Sequence, residues 1–171
     1  MLSYIDAYGL GRTIMGHFDL WLANGGRITR KQLAALPKAE AESLTAFVRS
    51  RSISFRTSHA GEDILFVHAG VNPAAEDCRE DMLWIREKFF AGYHGSTLVV
   101  VGHTPTQMLR RGGAAVPLFL PNNIIACDTG AYLPGGRISC VDAAHYLRLR
   151  AGGHALTAGE RASCPLQAGR G

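Results

Sequence analysis

The chain has no long apolar run; none approaches the roughly 18 uninterrupted apolar residues of a membrane-spanning helix. Its opening, Met1-Leu2-Ser3-Tyr4-Ile5-Asp6, lacks the basic region and the small-residue cleavage site of a signal peptide. These absences give the expectation of a cytoplasmic protein with no membrane partner. Cysteine is scarce: Cys78, Cys127, Cys140 and Cys164 are scattered with no C-x-x-C pair. That spacing favours free thiols over a disulfide framework or a zinc ribbon, with Cys164 as the exposed, oxidisable one. No block of one charge sign is present. Arg27, Arg30, Lys31, Arg49, Arg51, Arg56, Arg110, Arg111, Arg148 and Arg150 are dispersed, and aromatic residues are not interleaved with them. The net charge of +4 and pI near 9.1 therefore do not imply specific nucleic-acid binding, although a mildly basic surface suits anionic phosphorylated substrates.

What is present is the composition of an ordinary globular domain, with 171 residues, 47% hydrophobic and 19% charged. Two apolar runs stand out, Ile64-Leu-Phe-Val-His68-Ala-Gly70 and Leu98-Val-Val-Val-Gly-His103-Thr-Pro105. Each is short, rich in β-branched residues and bounded by Gly or Pro, the pattern of a strand buried on both faces. His68 and His103 then fall at strand tips, where function concentrates. Two neutral imidazoles delivered by neighbouring strands make half of a metal site. The plainer alternative is that each histidine hydrogen-bonds loop backbone.

Along the rest of the chain, helix-compatible residues over 1–22 stop at Ala23-Asn24-Gly25-Gly26. Lys38 to Arg51, with Ala41, Leu44, Phe47 and Val48 on one stripe, predicts an amphipathic helix packed on the core. Ile53 to Thr57 alternates as a strand and turns through His59-Ala60-Gly61-Glu62 into the run ending at His68, a β-hairpin. Arg79 to Phe90 reads as one helix with Met82, Ile85 and Phe89 on a common face. Val116 to Leu120, Asn123 to Asp128, Arg137 to Val141 and His145 to Leu149 predict an antiparallel meander. The Gly, Ala and Arg-rich stretch 151–171, with His154, reads as a flexible tail.

The words Phe66-Val-His68-Ala-Gly70-Val-Asn72-Pro73, Leu83-Trp84-Ile85-Arg86, Val101-Gly-His103-Thr-Pro105 and Asp128-Thr-Gly130-Ala131, in that order, resemble the calcineurin-like metallophosphoesterases. Within them the chain is most similar to the bacterial serine/threonine protein phosphatases and their diadenosine tetraphosphatase relatives. The resemblance spans about residues 17–142, including Trp21-Leu-Ala-Asn24-Gly-Gly26. The family's Asp-x-His, Gly-Asp-x-x-Asp-Arg-Gly and Gly-Asn-His-Glu words are not found, and Met1 falls about where the last of them would end. Residues 1–150 are thus expected to be the C-terminal part of a metallophosphoesterase domain. The fold class implied is mixed α/β, a partial β-sandwich flanked by helices with the first βαβ units missing.

The resemblance implies hydrolysis of a phosphate ester at a pair of divalent ions, Mn, Fe or Zn. In it His68 and His103 are ligands of the second ion, together with an asparagine and a bridging aspartate of the missing half, and the first ion depends almost entirely on missing residues. Arg86 binds the substrate phosphate through its planar fork; an ordinary helix arginine paired with Asp81 or Glu87 is the alternative. Asp128 takes a supporting role, accepting from His103 and so orienting it, or simply forms a turn. The substrate is a phosphorylated protein or a nucleotide. Little or no turnover is expected of the chain alone, and an uncovered sheet edge could drive self-association. A non-catalytic phosphate-binding or regulatory fragment and a dinucleoside polyphosphate hydrolase remain the alternative readings.

Overall fold

The computed structural model describes residues 19, 21–72, 74, 75, 78–110 and 113–153. The chain divides into two compact units, Met1–Ser52 and Ile53–Gly171. Most of the helical region expected over 1–22, the tail from 154 and Cys164 lie outside the described residues.

In the first unit, Ala23-Asn24-Gly25-Gly26 bends a helix rather than ending it. Leu22–Gly26 forms one widened turn in which Gly25 has a φ of 92°, and the helix resumes as α1, Arg27–Ala35. Leu36 is extended (ψ 151°), as a residue before proline must be. Pro37 then opens α2, Lys38–Arg49, with Glu40 in the first turn and Arg49 in the last, both complementing the helix dipole. The expected helix is there; it buries no residue, and Leu44 and Phe47 on its stripe are exposed. Only its apolar stripe was readable; what that stripe would cover is not a local property.

The second unit begins with β1, Ser54–His59, and β2, Glu62–Val67, paired antiparallel from Ser54↔Val67 to His59↔Glu62. Ala60 (φ 52°) and Gly61 (φ 81°) join them, the two left-handed residues that a tight hairpin matching strand twist requires. β3, Leu98–Val101, lies parallel to β2, and β5, Ile124–Ala126, parallel to β3; β4, Leu118–Leu120, closes the far edge antiparallel to β5. The result is a five-stranded mixed sheet of order β1-β2-β3-β5-β4, flanked by helices, hence a mixed α/β fold.

Side chains alternate across this sheet, so each strand feeds two cores. Leu65, Val67, Val99, Val101 and Ile124 pack on one side against Met82, Ile85, Phe89 and Tyr93. Ile64, Leu98, Val100 and Ile125 pack on the other against Ala143 and Leu147. All four β3 residues are buried, as expected of a central strand covered on both faces.

Three expectations are corrected here. Arg79 to Phe90 is not one helix: α3, Arg79–Trp84, and α4, Glu87–Gly92, are separated by extended Ile85 and by Arg86 at φ −130°, ψ −113°. His145 to Leu149 is not a strand but lies within α6, Ala143–Ala151, whose N-cap Asp142 accepts the His145 N–H. Arg137 to Val141 adds no strand either. It runs beside the end of β5 through one backbone bond, Arg137 N–H to the Thr129 carbonyl at 3.2 Å, and two side-chain bonds, Thr129 Oγ1 to the Arg137 carbonyl at 2.5 Å and Ser139 Oγ to the Cys127 carbonyl at 2.6 Å, which do not make a ladder. The antiparallel meander is therefore only the β4–β5 pair. Cys78, Cys127 and Cys140 carry free thiols. No helix among the described residues is long and apolar enough to cross a membrane.

Candidate metal and phosphate site

Three parallel strands end side by side, and the residues that follow them meet. His68 comes directly after β2, Gly102-His103-Thr104 after β3, and Cys127-Asp128-Thr129 after β5. The carboxyl ends of parallel strands are where open α/β sheets place ligands. The Gly102 N–H donates to the His68 carbonyl at 2.9 Å, and the Thr106 N–H, at the start of the short helix α5, Thr106–Leu109, donates to the Asp128 carbonyl at 2.8 Å. These bonds lock the three strand ends to one another.

Nε2 of His68 lies 3.1 Å from Nδ1 of His103, the rings 4.8 Å apart between centroids. His103 adopts a φ of 65°, a left-handed backbone that costs a non-glycine residue on the order of 1–3 kcal/mol and that clusters at functional sites. Its other nitrogen, Nε2, is buried without a hydrogen-bond partner among the described residues. The Trp84 backbone lies near enough to favour the charged ring slightly, yet it forms no aligned bond with that nitrogen. The Trp84 indole meets the His103 ring edge-on at 5.7 Å.

Arg86 reaches the same corner because the α3–α4 break swings it out of helical register. Its Nη1 donates to the His103 carbonyl and to Thr104 Oγ1, both at 3.1 Å. Nε and Nη2 have no partner among the described residues, so two donors of the fork remain for an anion. Asp128 behaves as a turn residue, its Oδ1 accepting the Gly130 N–H at 2.8 Å. It makes no hydrogen bond to either imidazole and acts on them through its charge.

Burial lowers the pKa of His68, with Asp128 opposing and Arg86 reinforcing the shift. Burial also lowers that of His103, reinforced by Arg86 and His68 and opposed by the Trp84 backbone and Asp128. Both rings are therefore neutral near pH 7, the form that hydrogen-bonds or ligates metal. Burial, reinforced by Asp128, raises the pKa of Cys127, whose Sγ donates to the Val101 carbonyl at 3.2 Å. A thiol held that way is not a poised nucleophile.

The donor set can be tested against a metal. Two imidazole nitrogens each about 2.0–2.1 Å from one divalent ion stand close to the 3.1 Å observed here when they occupy neighbouring coordination positions. The pair fits two ligands of one ion. It does not fit a complete dinuclear centre, because no group of three His, Cys, Asp or Glu among the described residues is placed to hold a metal. Asp81 is engaged by Asn72 Nδ2 at 2.9 Å, and that hydrogen bond is the main cause of its lowered pKa. Glu62 pairs with Arg150 and starts β2, six residues before His68, about 20 Å away at strand rise. Glu76 and Asp77 lie outside the described residues.

His68, His103 and Arg86 are thus brought together, with Asp128 beside them. Reading the sequence missed Trp84 and Thr104 as neighbours of this corner. The adjacency of Trp84 to Arg86 and of Thr104 to His103 was the available signal. No protein-family model matches the chain, and no curated protein does either.

Proposed function

We propose that this chain is the C-terminal part of a calcineurin-like metallophosphoesterase domain and supplies the second-ion histidines and the phosphate-binding arginine of its site. One observation carries the reading: imidazole nitrogens from two parallel strand ends lie 3.1 Å apart with the Arg86 guanidinium hydrogen-bonded to the loop between them. The motif words that suggested this chemistry are separated by up to 35 positions between the histidines alone, so their convergence was not guaranteed by the spelling.

A pair of divalent ions, when bound, supplies an activated water and Lewis-acid stabilisation of the phosphoryl oxygens. The chain's own residues do the following. His68 and His103, neutral at pH 7, present Nε2 and Nδ1 as ligands. Arg86 offers Nε and Nη2 to phosphoryl oxygens, where a bidentate fork orients the ester and offsets its charge. Carboxylates that would balance two dications, and a second sheet of the sandwich, are to come from residues outside the described ones. Turnover by the chain alone is accordingly expected to be little or none. Substrates of this reading are phosphorylated proteins or dinucleoside polyphosphates. β1, an edge strand with Phe55 exposed, is the surface through which copies would self-associate.

A non-catalytic phosphate-binding role is the second reading, favoured by the want of a three-ligand cluster among the described residues. Hydrolysis of para-nitrophenyl phosphate with added Mn, by the chain joined to a first half bearing the carboxylate words, separates the two. No turnover in residues 1–171, and turnover abolished by His68→Ala or His103→Ala when the chain is joined to a first half bearing the carboxylate words, supports the enzyme reading. A joined protein whose activity ignores both substitutions sinks it.

A further inference from the structure

We propose that Arg86 is a positioning residue for His103: its guanidinium clamps the carbonyl of that left-handed residue and the adjacent Thr104 hydroxyl, and so sets the imidazole in place for an ion. This inference rests on the ion-binding reading of His68 and His103 and extends it.

Three observations converge. His103 sits at φ 65°, a backbone that side chains adopt reluctantly, so something must hold it. Its peptide carbonyl and the hydroxyl of Thr104, a residue only 4% exposed, both accept from the same Arg86 nitrogen at 3.1 Å. The arginine is itself fixed, because it occupies the α3–α4 break between Ile85, 7% exposed, and Phe89, fully buried. The clamp uses only Nη1, which leaves Nε and Nη2 for a phosphate. One side chain then couples the two halves of the site, through the carbonyl of a ligand residue on one side and an anion on the other. Outer-shell partners of this kind typically change metal affinity about 10–100-fold.

The sign of the effect separates this role from simple electrostatics. A guanidinium beside two ligands repels a dication, so removal of its charge alone would tighten ion binding. Removal of a clamp loosens it. Zinc affinity is measured by calorimetry on the full chain, with the His68→Ala/His103→Ala protein as baseline for the other histidines. Arg86→Ala is expected to weaken zinc binding about tenfold or more, and Arg86→Lys, which restores a donor, to recover part of the loss. Thr104→Val keeps the charge, removes one anchor and is expected to shift affinity in the same direction by less; it carries the comparison if Arg86→Ala does not fold. Zinc binding by Arg86→Ala and Thr104→Val equal to or tighter than that of the unaltered chain would overturn the positioning role and leave the ion site standing. No recovery with lysine would overturn it as well. Zinc binding by the unaltered chain no tighter than the double-alanine baseline would overturn both the inference and the reading beneath it.

Discussion

Nε2 of His68 and Nδ1 of His103 face each other at 3.1 Å across the ends of two parallel strands. Either an N–H is shared between them or an ion sits against both. Divalent zinc is expected to move the shared proton to the far nitrogen of its own ring and to shift the ring resonances of these two histidines before those of the others. His68→Ala should then cost more affinity than the ~10–100-fold typical of losing an outer-shell partner, as followed by NMR titration. Ring shifts spread evenly over all seven histidines would speak against a defined site.

Acid should destabilise the ion-free protein through the same pair. Both histidines have a lowered pKa in the folded chain, so the unfolded chain binds protons first as pH falls. Stability is then fully present above about 6.5, the ordinary histidine value, and declines as pH drops through that value toward the folded ones. Urea midpoints from pH 7.5 to 5 are expected to fall more steeply for the unaltered chain than for the His68→Ala/His103→Ala protein. Parallel declines would show that the folded rings protonate normally.

Phe89 anchors the helical face of the core. It is fully buried, and a Cβ at Gly70 would stand 2.6 Å from its ring. Phe89→Ala is expected to cost roughly 3–5 kcal/mol in urea unfolding. Gly70→Ala, which forces the same ring and Ile85 to move, should destabilise too, without touching His68. A Gly70→Ala chain as stable as the original would mean that the α3–α4 break has slack in it.

Asp142 caps α6 by accepting the His145 N–H at 2.8 Å. Asp142→Ala is expected to lower stability by about 1 kcal/mol, with Asp142→Asn closer to neutral. The ion pair of Arg150 with Glu62 is about one-third exposed on both sides, so its loss should cost no more than roughly 1 kcal/mol. Thermal melts of these variants, with ion binding unchanged, are the check.

How much of this was legible before the fold was known depends on how local each signal is. Strands β2 and β3 announced themselves because Ile64, Leu65, Val67 and Leu98 to Val101 are buried in the sheet centre, and Ala60-Gly61 fixes the hairpin through backbone conformation alone. α6 was misread because Tyr146-Leu147-Arg148-Leu149 alternates like a strand, while burial of Ala143 and Leu147, four apart, obeys the helical period. Asp142 before two alanines was the overlooked cap. Ile85 was correctly placed on the core face, but the break after Trp84 was not seen. No proline or glycine marks it, and the half-buried clamp of Arg86 on His103 and Thr104 that accompanies it is a tertiary contact. The positions of His68, His103 and Arg86 could be singled out from their words; that their atoms meet could not.

The most direct measurement is titration of inorganic phosphate into the zinc-loaded chain, read by calorimetry. Saturable binding that requires the ion and is lost in both His68→Ala and Arg86→Ala is the expected result. Phosphate binding that is absent, or that is equally strong without the ion and in both variants, would contradict a metal and phosphate site at this corner.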